Sequence, residues 1–230
     1  ITLSPSVRIQ KKPNAFYNDS HKKFRNSMRL FVEEEIIPYV EEWEAANSIP
    51  PEVFSKAAKV GLLPAIVGWP EGVAGVPPRP DNFDLFFSFI AYDELCRCAS
   101  GGTVWGLTGG LGIGLPPIVH AGSPEMKRDI VGPVIRGEKR VALAVSEPSA
   151  GSDVANLKTT AIKNGDAYVV NGLKKWITCG MFADFFTVAV QTKPGSGFGG
   201  IQLMVIERTR KGVSTRQMDC MGVKGSGTAY

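Results

Sequence analysis

The sequence predicts an α+β protein: an all-α amino-terminal domain followed by an antiparallel, β-barrel-like domain. Two observations carry that prediction. Up to residue 137 the apolar residues recur at three- and four-residue spacing between cap residues and prolines, the period of helices with one buried face. Beyond Gly137 the spacing changes to two, in short runs divided by turn residues, the period of strands. The boundary belongs at Gly137-Glu138, which divides the chain into residues 1–137 and 138–230.

Taken in order, Asp19 or Ser20 can cap a first helix that carries Phe24, Met28, Phe31 and Val32 and runs to about Ile37, where Pro38 ends it. Pro50-Pro51 opens a second helix through Val53, Phe54, Ala57 and Ala58, stopped at Gly61. Residues 68–81 are rich in Gly and Pro and read as a loop. Residues 83–99 form a strongly apolar helix with Leu85, Phe86, Phe89, Ile90 and Leu95. Residues 101–114 are punctuated by glycines in a helix-compatible stretch. A helix precedes them and Pro116-Pro117 follows, so they are not the strand-to-helix turn of a dinucleotide fold. Close approach of another helix, or of a ligand chain, explains the glycines better. Ser123-Pro124-Glu125 opens the last helix, closed near Gly137.

The strands expected after the boundary span 141–145, 157–163, 166–171, 174–178, 185–191, 201–206 and 213–217. Asn164-Gly165 between the second and third is the signature of a tight hairpin turn.

Composition narrows the function. At 43% hydrophobic and 21% charged residues, the chain has the balance of a soluble globular protein. No apolar run approaches the roughly 20 residues that span a bilayer. The net charge of +4 is spread out, and the loose cluster His21-Lys22-Lys23-Phe24-Arg25 reads as a solvated helix face. That leaves no nucleic-acid footprint. Two histidines, His21 and His120, and four scattered cysteines, Cys96, Cys98, Cys179 and Cys220, supply neither a metal cluster nor a disulfide framework. Reduced structural thiols imply an intracellular compartment.

Two segments carry chemistry. The first runs from the apolar strand Val141–Val145 into Ser146-Glu147-Pro148-Ser149-Ala150-Gly151-Ser152-Asp153. Such a turn exposes backbone N–H groups and hydroxyls that suit ring heteroatoms and phosphate oxygens, and Gly151 lets a ligand approach the main chain. In the second, Lys174-Lys175-Trp176-Ile177-Thr178, strand parity puts Trp176 and Thr178 on one face. An indole there can wall an aromatic cofactor while the hydroxyl reaches a ring nitrogen. Each segment alone is also explained as an ordinary turn or an ordinary packed strand.

Together, SEPSAGSD, WITCG and the later Met221-Gly222-Val223-Lys224-Gly225-Ser226-Gly227-Thr228 resemble the acyl-CoA dehydrogenase family. Its corresponding runs are close to TEPGAGSD, WIT and MG-x-(K/R)-x-S-x-T. Ser146 stands for a usual Thr, Ser149 for a Gly, Cys179 for an Asn and Gly227 for an Asp. None of these changes removes a cofactor contact outright.

The resemblance implies an FAD flavoprotein that dehydrogenates acyl-CoA thioesters between the α and β carbons. It places Leu143, Ala144, Val145, Ser146, Gly151 and Ser152 along the flavin ring and pyrophosphate. Trp176, Ile177 and Thr178 cover the remainder, with Thr178 near N5. Ser152 also touches the pantetheine arm of the substrate, and Glu147 is a structural turn residue. The resemblance further implies a homo-oligomer, an electron acceptor that is a protein or oxygen, and a mitochondrial, peroxisomal or cytoplasmic location. The family's carboxy-terminal helical bundle is absent from this chain, and the proton-abstracting glutamate is expected beyond residue 230. Residues 1–230 alone are accordingly expected to be inactive and to hold FAD poorly. Two alternatives stay open: an oxidase or monooxygenase on the same fold, and a binding or regulatory protein without turnover.

Overall fold

A computed structural model describes residues 15–230; the first fourteen positions of the expected 1–137 domain lie outside the described residues. The helical part opens with α1 (Asp19–Glu35). Its cap is Asn18, one residue before the expected pair, and the capping is reciprocal: Asn18 Oδ1 accepts the His21 N–H and His21 Nδ1 accepts the Asn18 N–H. His21 is therefore not part of a solvated basic face. It is buried, and its Nε2 lies 3.0 Å from Asp84 Oδ1, the oxygen that caps the helix Leu85–Leu95 through the Phe86 N–H. One imidazole thus ties the starts of two helices together.

A short 3₁₀ turn at Pro38 leads to α2 (Val40–Ala46). Then come α3 (Pro51–Lys59), α4 (Leu62–Ile66), α5 (Leu85–Leu95), α6 (Gly101–Gly114) and α7 (Pro116–Ala121). The last predicted helix is divided: α8 (Pro124–Met126), a π-helical turn (Lys127–Val131) and α9 (Gly132–Ile135) follow the Ser123 cap. Between α1 and α5 the carboxylate of Glu94, 1% exposed, accepts two hydrogen bonds from the Arg29 guanidinium at 2.9 and 2.8 Å. Such a fork-on-fork pair fixes the axial register of both helices.

The glycines of α6 have a definite cause, though not close helix-to-helix contact. A Cβ on Gly110 would sit 2.2 Å from the Val141 carbonyl oxygen, and one on Gly114 would sit 2.9 Å from the Ala142 carbonyl carbon. On the next turn a Cβ on Gly106 would fall 2.8 Å from the Gly225 oxygen. The helix is packed against backbone of the sheet part, at a distance no other residue allows. Thr187 locks the contact, its buried hydroxyl donating to the Gly114 carbonyl at 2.8 Å.

Among the described residues the sheet has five strands: β1 (Val141–Ala144), β2 (Thr160–Asn164), β3 (Ala167–Asn171), β4 (Phe185–Gln191) and β5 (Ile201–Glu207). The β2–β3 and β4–β5 ladders are antiparallel as expected. The sheet as a whole is mixed, because β1 and the first residue of β2 pair with β4 in parallel. β5 occupies the full length of one edge of β4, so β1 and β2 share the other. Two expected strands are not strands. Residues 213–217 contribute only the bridge Gln217 to Ala229, and 174–178 only Ile177 to Ala229. The hairpin turn also sits one residue later than read. Asn164 pairs with Ala167, and of the two loop residues Gly165 alone has positive φ, +61°, the II′ pattern.

Candidate functional site: the Ser146 turn and the Trp176 loop

The two segments singled out from sequence lie side by side. The Lys175 N–H donates to the Ser146 carbonyl at 2.9 Å. Lys174 Nζ donates to the Val145 carbonyl at 3.0 Å and to Glu147 Oε1 at 2.8 Å. Glu147 is the hub. Besides Lys174 it accepts the N–H of Lys158 at 2.6 Å and of Thr159 at 2.9 Å, while its own backbone exchanges two hydrogen bonds with Ala150 to close the turn. Burial alone would raise its pKa, but the Lys174 ammonium and the donors of Thr159 and Lys158 outweigh it and hold the carboxyl at about 2. A carboxylate so stabilised is a poor proton acceptor at neutral pH. Its work is to shape the turn.

On that framework Leu143 is half-buried in β1, Ala144 is buried, Val145 and Ser146 are half-buried, and Gly151 and Ser152 are exposed. Among the described residues the hydroxyls of Ser146, Ser149 and Ser152 make no hydrogen bond, and a side chain on Gly151 would meet nothing within 4 Å. The turn is open and rich in donors.

The second segment is a loop. Trp176 has φ +65° and Cys179 +64°, left-handed conformations that interrupt strand alternation. The parity argument for Trp176 and Thr178 therefore fails, and the three residues go separate ways. Trp176 is 57% exposed, with Lys175 Nζ 4.9 Å from the centre of its ring. Ile177, 4% exposed, packs into the sheet's apolar cluster with Ala142 and Ala144, and its N–H and carbonyl are both bonded to Ala229. Thr178 rests on α6, where a Cβ on Gly109 would stand 3.0 Å from its methyl.

Below the loop, the Cys179 N–H donates to the Ser226 carbonyl at 2.9 Å, and its thiol lies 3.3 Å from the Gly106 carbonyl. Complete burial pushes that thiol up to about 12. It has no nucleophilic role.

The donor set fits a flavin nucleotide. Unpartnered hydroxyls and an open glycine suit pyrophosphate oxygens and ring edges, and a left-handed loop that leaves an indole mostly outside the core presents a flat apolar wall. Among the described residues no group of three His, Cys, Asp or Glu could hold a metal, and no helix is long and apolar enough to cross a membrane. Sequence reading missed Lys174 and the Val223–Gly227 turn as supports. Both lie in segments the sequence singled out, but their partners are distant in the chain, so the supporting role itself carries no local signal.

Comparison with known proteins agrees with the fold and the motifs. Residues 18–138 match the family described as acyl-CoA dehydrogenase, N-terminal domain, and residues 142–230 match acyl-CoA dehydrogenase, middle domain. An acyl-CoA dehydrogenase of Alternaria alternata is 39% identical over 229 residues, 95% of this chain and 52% of that protein. A probable acyl-CoA dehydrogenase structure from Mycobacterium abscessus superposes with TM-score 0.85 at 39% identity, covering 94% of this chain and 55% of that one. An acyl-CoA dehydrogenase from Bacillus anthracis, solved in complex with FAD, superposes at 0.79 with 31% identity, over 93% of this chain and 35% of that one. The chain spans about half the length of the curated relatives it matches.

Proposed function

The chain belongs to the acyl-CoA dehydrogenase family, and from that premise we propose that it forms the amino-terminal and flavin-facing part of an enzyme that uses FAD to dehydrogenate an acyl-CoA thioester. One observation carries the reading: the unpartnered hydroxyl turn at Ser146–Ser152 is joined by a backbone hydrogen bond to the loop that exposes Trp176. Bound there, FAD supplies the acceptor for the hydride that leaves the β carbon.

The chain's own residues bind and orient. Leu143, Ala144 and Val145 form a floor, and Ser146 donates to the ring edge. Gly151 and Ser152 give the pyrophosphate close backbone access, with Ser152 also meeting the pantetheine arm of the substrate. Trp176 walls the ring, Ile177 backs the loop from the apolar cluster beneath it, and Thr178 offers its hydroxyl near the reacting nitrogen. The division falls at 137/138, with the helical part as buttress. The α-proton base is assigned to none of the carboxylates of this chain. Glu94 is locked to Arg29, and Glu147 is too weak a base. The assembly is a homo-oligomer that passes electrons to a protein acceptor or to oxygen.

The test is to load the full-length protein with FAD and add a panel of acyl-CoA esters without oxygen. Loss of the visible flavin absorbance with one ester class supports the reading. A flavin that stays oxidised across the panel sinks it, and rapid oxygen consumption after bleaching would favour the oxidase alternative.

A further inference from the structure

The Trp176 loop is held from an unexpected direction, by a carboxylate of the helical part 181 residues from its partner. Glu44, in α2, accepts the Ser100 hydroxyl on Oε1 at 2.5 Å and the Gly225 N–H on Oε2 at 2.9 Å. Its seat is made by glycine: a Cβ on Gly102 would lie 2.0 Å from Oε1. The carboxylate therefore sits over the first turn of α6, whose cap is Ser100, where helix-end charge favours an anion.

Gly225 lies in a one-turn 3₁₀ element bracketed by Val223 at φ +47° and Gly227 at φ +55°. A β-branched residue in the left-handed region is strained and persists only where surrounding contacts over-determine it. Glu44 supplies one such contact, and the Ser226 hydroxyl, donating to the Val223 carbonyl at 2.7 Å, supplies another. The turn in turn carries the loop: the Ser226 carbonyl accepts the Cys179 N–H, the Gly227 carbonyl accepts the Met181 N–H, and Ala229 and Ile177 exchange two backbone hydrogen bonds.

We propose that Glu44 is a positioning residue for the flavin wall, setting through the Val223–Gly227 turn the height of the Trp176–Thr178 loop against the Ser146 turn. The inference rests on the flavin reading above and deepens it. Glu44 itself touches no cofactor. Its carboxylate acts at two removes, and its loss lets the strained turn relax and carries the Cys179 anchor with it.

The experiment uses the full-length protein and four variants. FAD affinity is measured by titration into FAD-free protein, the bound flavin by its visible absorbance and circular dichroism, and the fold by thermal unfolding without FAD. Glu44→Ala is expected to bind FAD about tenfold more weakly and to alter the visible dichroism of the flavin that remains bound. Glu44→Gln is expected to stay within about twofold of the parent, because its amide oxygen can accept from Gly225 while its NH₂ donates to the Ser100 oxygen. Glu94→Gln, which breaks the Arg29 pair inside the helical part, is expected to lower thermal stability yet leave affinity and dichroism unchanged. If Glu44→Ala does not fold, Glu44→Asp, which keeps the charge but withdraws it from Gly225, is expected to show the same loss.

Parent-like affinity and dichroism in both the Ala and Asp variants would overturn the inference. So would equal damage from Gln and Ala, or from Glu94→Gln. A parent protein that binds no FAD would instead overturn the flavin reading and this inference together, so the two failures are distinguishable.

Discussion

Replacing Glu147 by Gln tests whether the Ser146 turn is organised electrostatically. The carboxylate has three donors on it, Lys174 Nζ and the N–H groups of Lys158 and Thr159, and is buried with its lysine, the two side chains 3% and 10% exposed. A glutamine keeps one acceptor oxygen and turns an NH₂ toward a donor. It also leaves the Lys174 charge without its partner.

Two routes give the magnitude. Breaking a buried ion pair from one side costs about 3–5 kcal/mol. A carboxyl moved from 4.5 to about 2 carries about 3 kcal/mol of differential stability at about 1.36 kcal/mol per unit. Because burial pulls Lys174 downward, the lower end is the better figure. For a domain of this size about 3 kcal/mol lowers the melting temperature by about 6–12 °C.

The sign with pH follows. A folded pKa below the unfolded value stabilises above the unfolded pKa, 4.5, and that stability drains as pH falls toward about 2. The gap between parent and Glu147→Gln, read by thermal or urea unfolding of the full-length protein, is expected to be full at pH 7 and about half as large at pH 3. A variant that melts within about 2 °C of the parent at pH 7, or a gap unchanged at pH 3, would refute the reasoning.

Four further outcomes are expected. Gly110→Ala should be severely destabilising, by more than the roughly 1–3 kcal/mol of ordinary overpacking, because its methyl would meet the Val141 carbonyl oxygen at 2.2 Å. Gly112→Ala faces only the Tyr92 hydroxyl at 3.2 Å and an Ile66 methyl at 3.4 Å, so urea unfolding should find it within about 1 kcal/mol of the parent. Titration with an aromatic disulfide reagent should modify the exposed Cys96 first and reach the buried Cys98 and Cys179 only on unfolding, since burial raises both thiols; rapid labelling of Cys179 in the folded protein would contradict its placement. Trp176→Ala removes a mostly exposed ring, so stability should change by less than about 0.5 kcal/mol while FAD affinity falls about three- to tenfold.

Much of the fold was legible because local chemistry set it. The period-three-to-four runs of α1 and α3, the Ser123 cap, the Gly61 stop and the strand at 185–191 needed only neighbours in sequence. Where the reading slipped, distant contacts decided. Residues 174–178 alternate like a strand, yet Trp176 and Cys179 turn left-handed because the loop is pinned to Ser146 on one side and Ser226 on the other. The β1–β4 pairing is parallel for a similar reason: the chain inserts a hairpin and a loop before β4 returns beside β1, which no period-two pattern encodes. His21 read as surface because Lys22 and Lys23 follow it, while its partner Asp84 lies 63 residues on. The motifs drew attention to two segments that lie side by side in the fold. Glu44 carries no local signal, and Lys174, although inside one of those segments, reveals its role only through the distant Glu147.

The central claim, that the Ser146 turn and the Trp176 loop together form a flavin site, is tested most directly by a structure of the full-length protein loaded with FAD. The account predicts the flavin ring in van der Waals contact with Trp176 and Thr178, hydrogen-bonded at Ser146, with the pyrophosphate at Gly151 and Ser152. Flavin bound elsewhere in the molecule, with those hydroxyls still unpartnered, would contradict it.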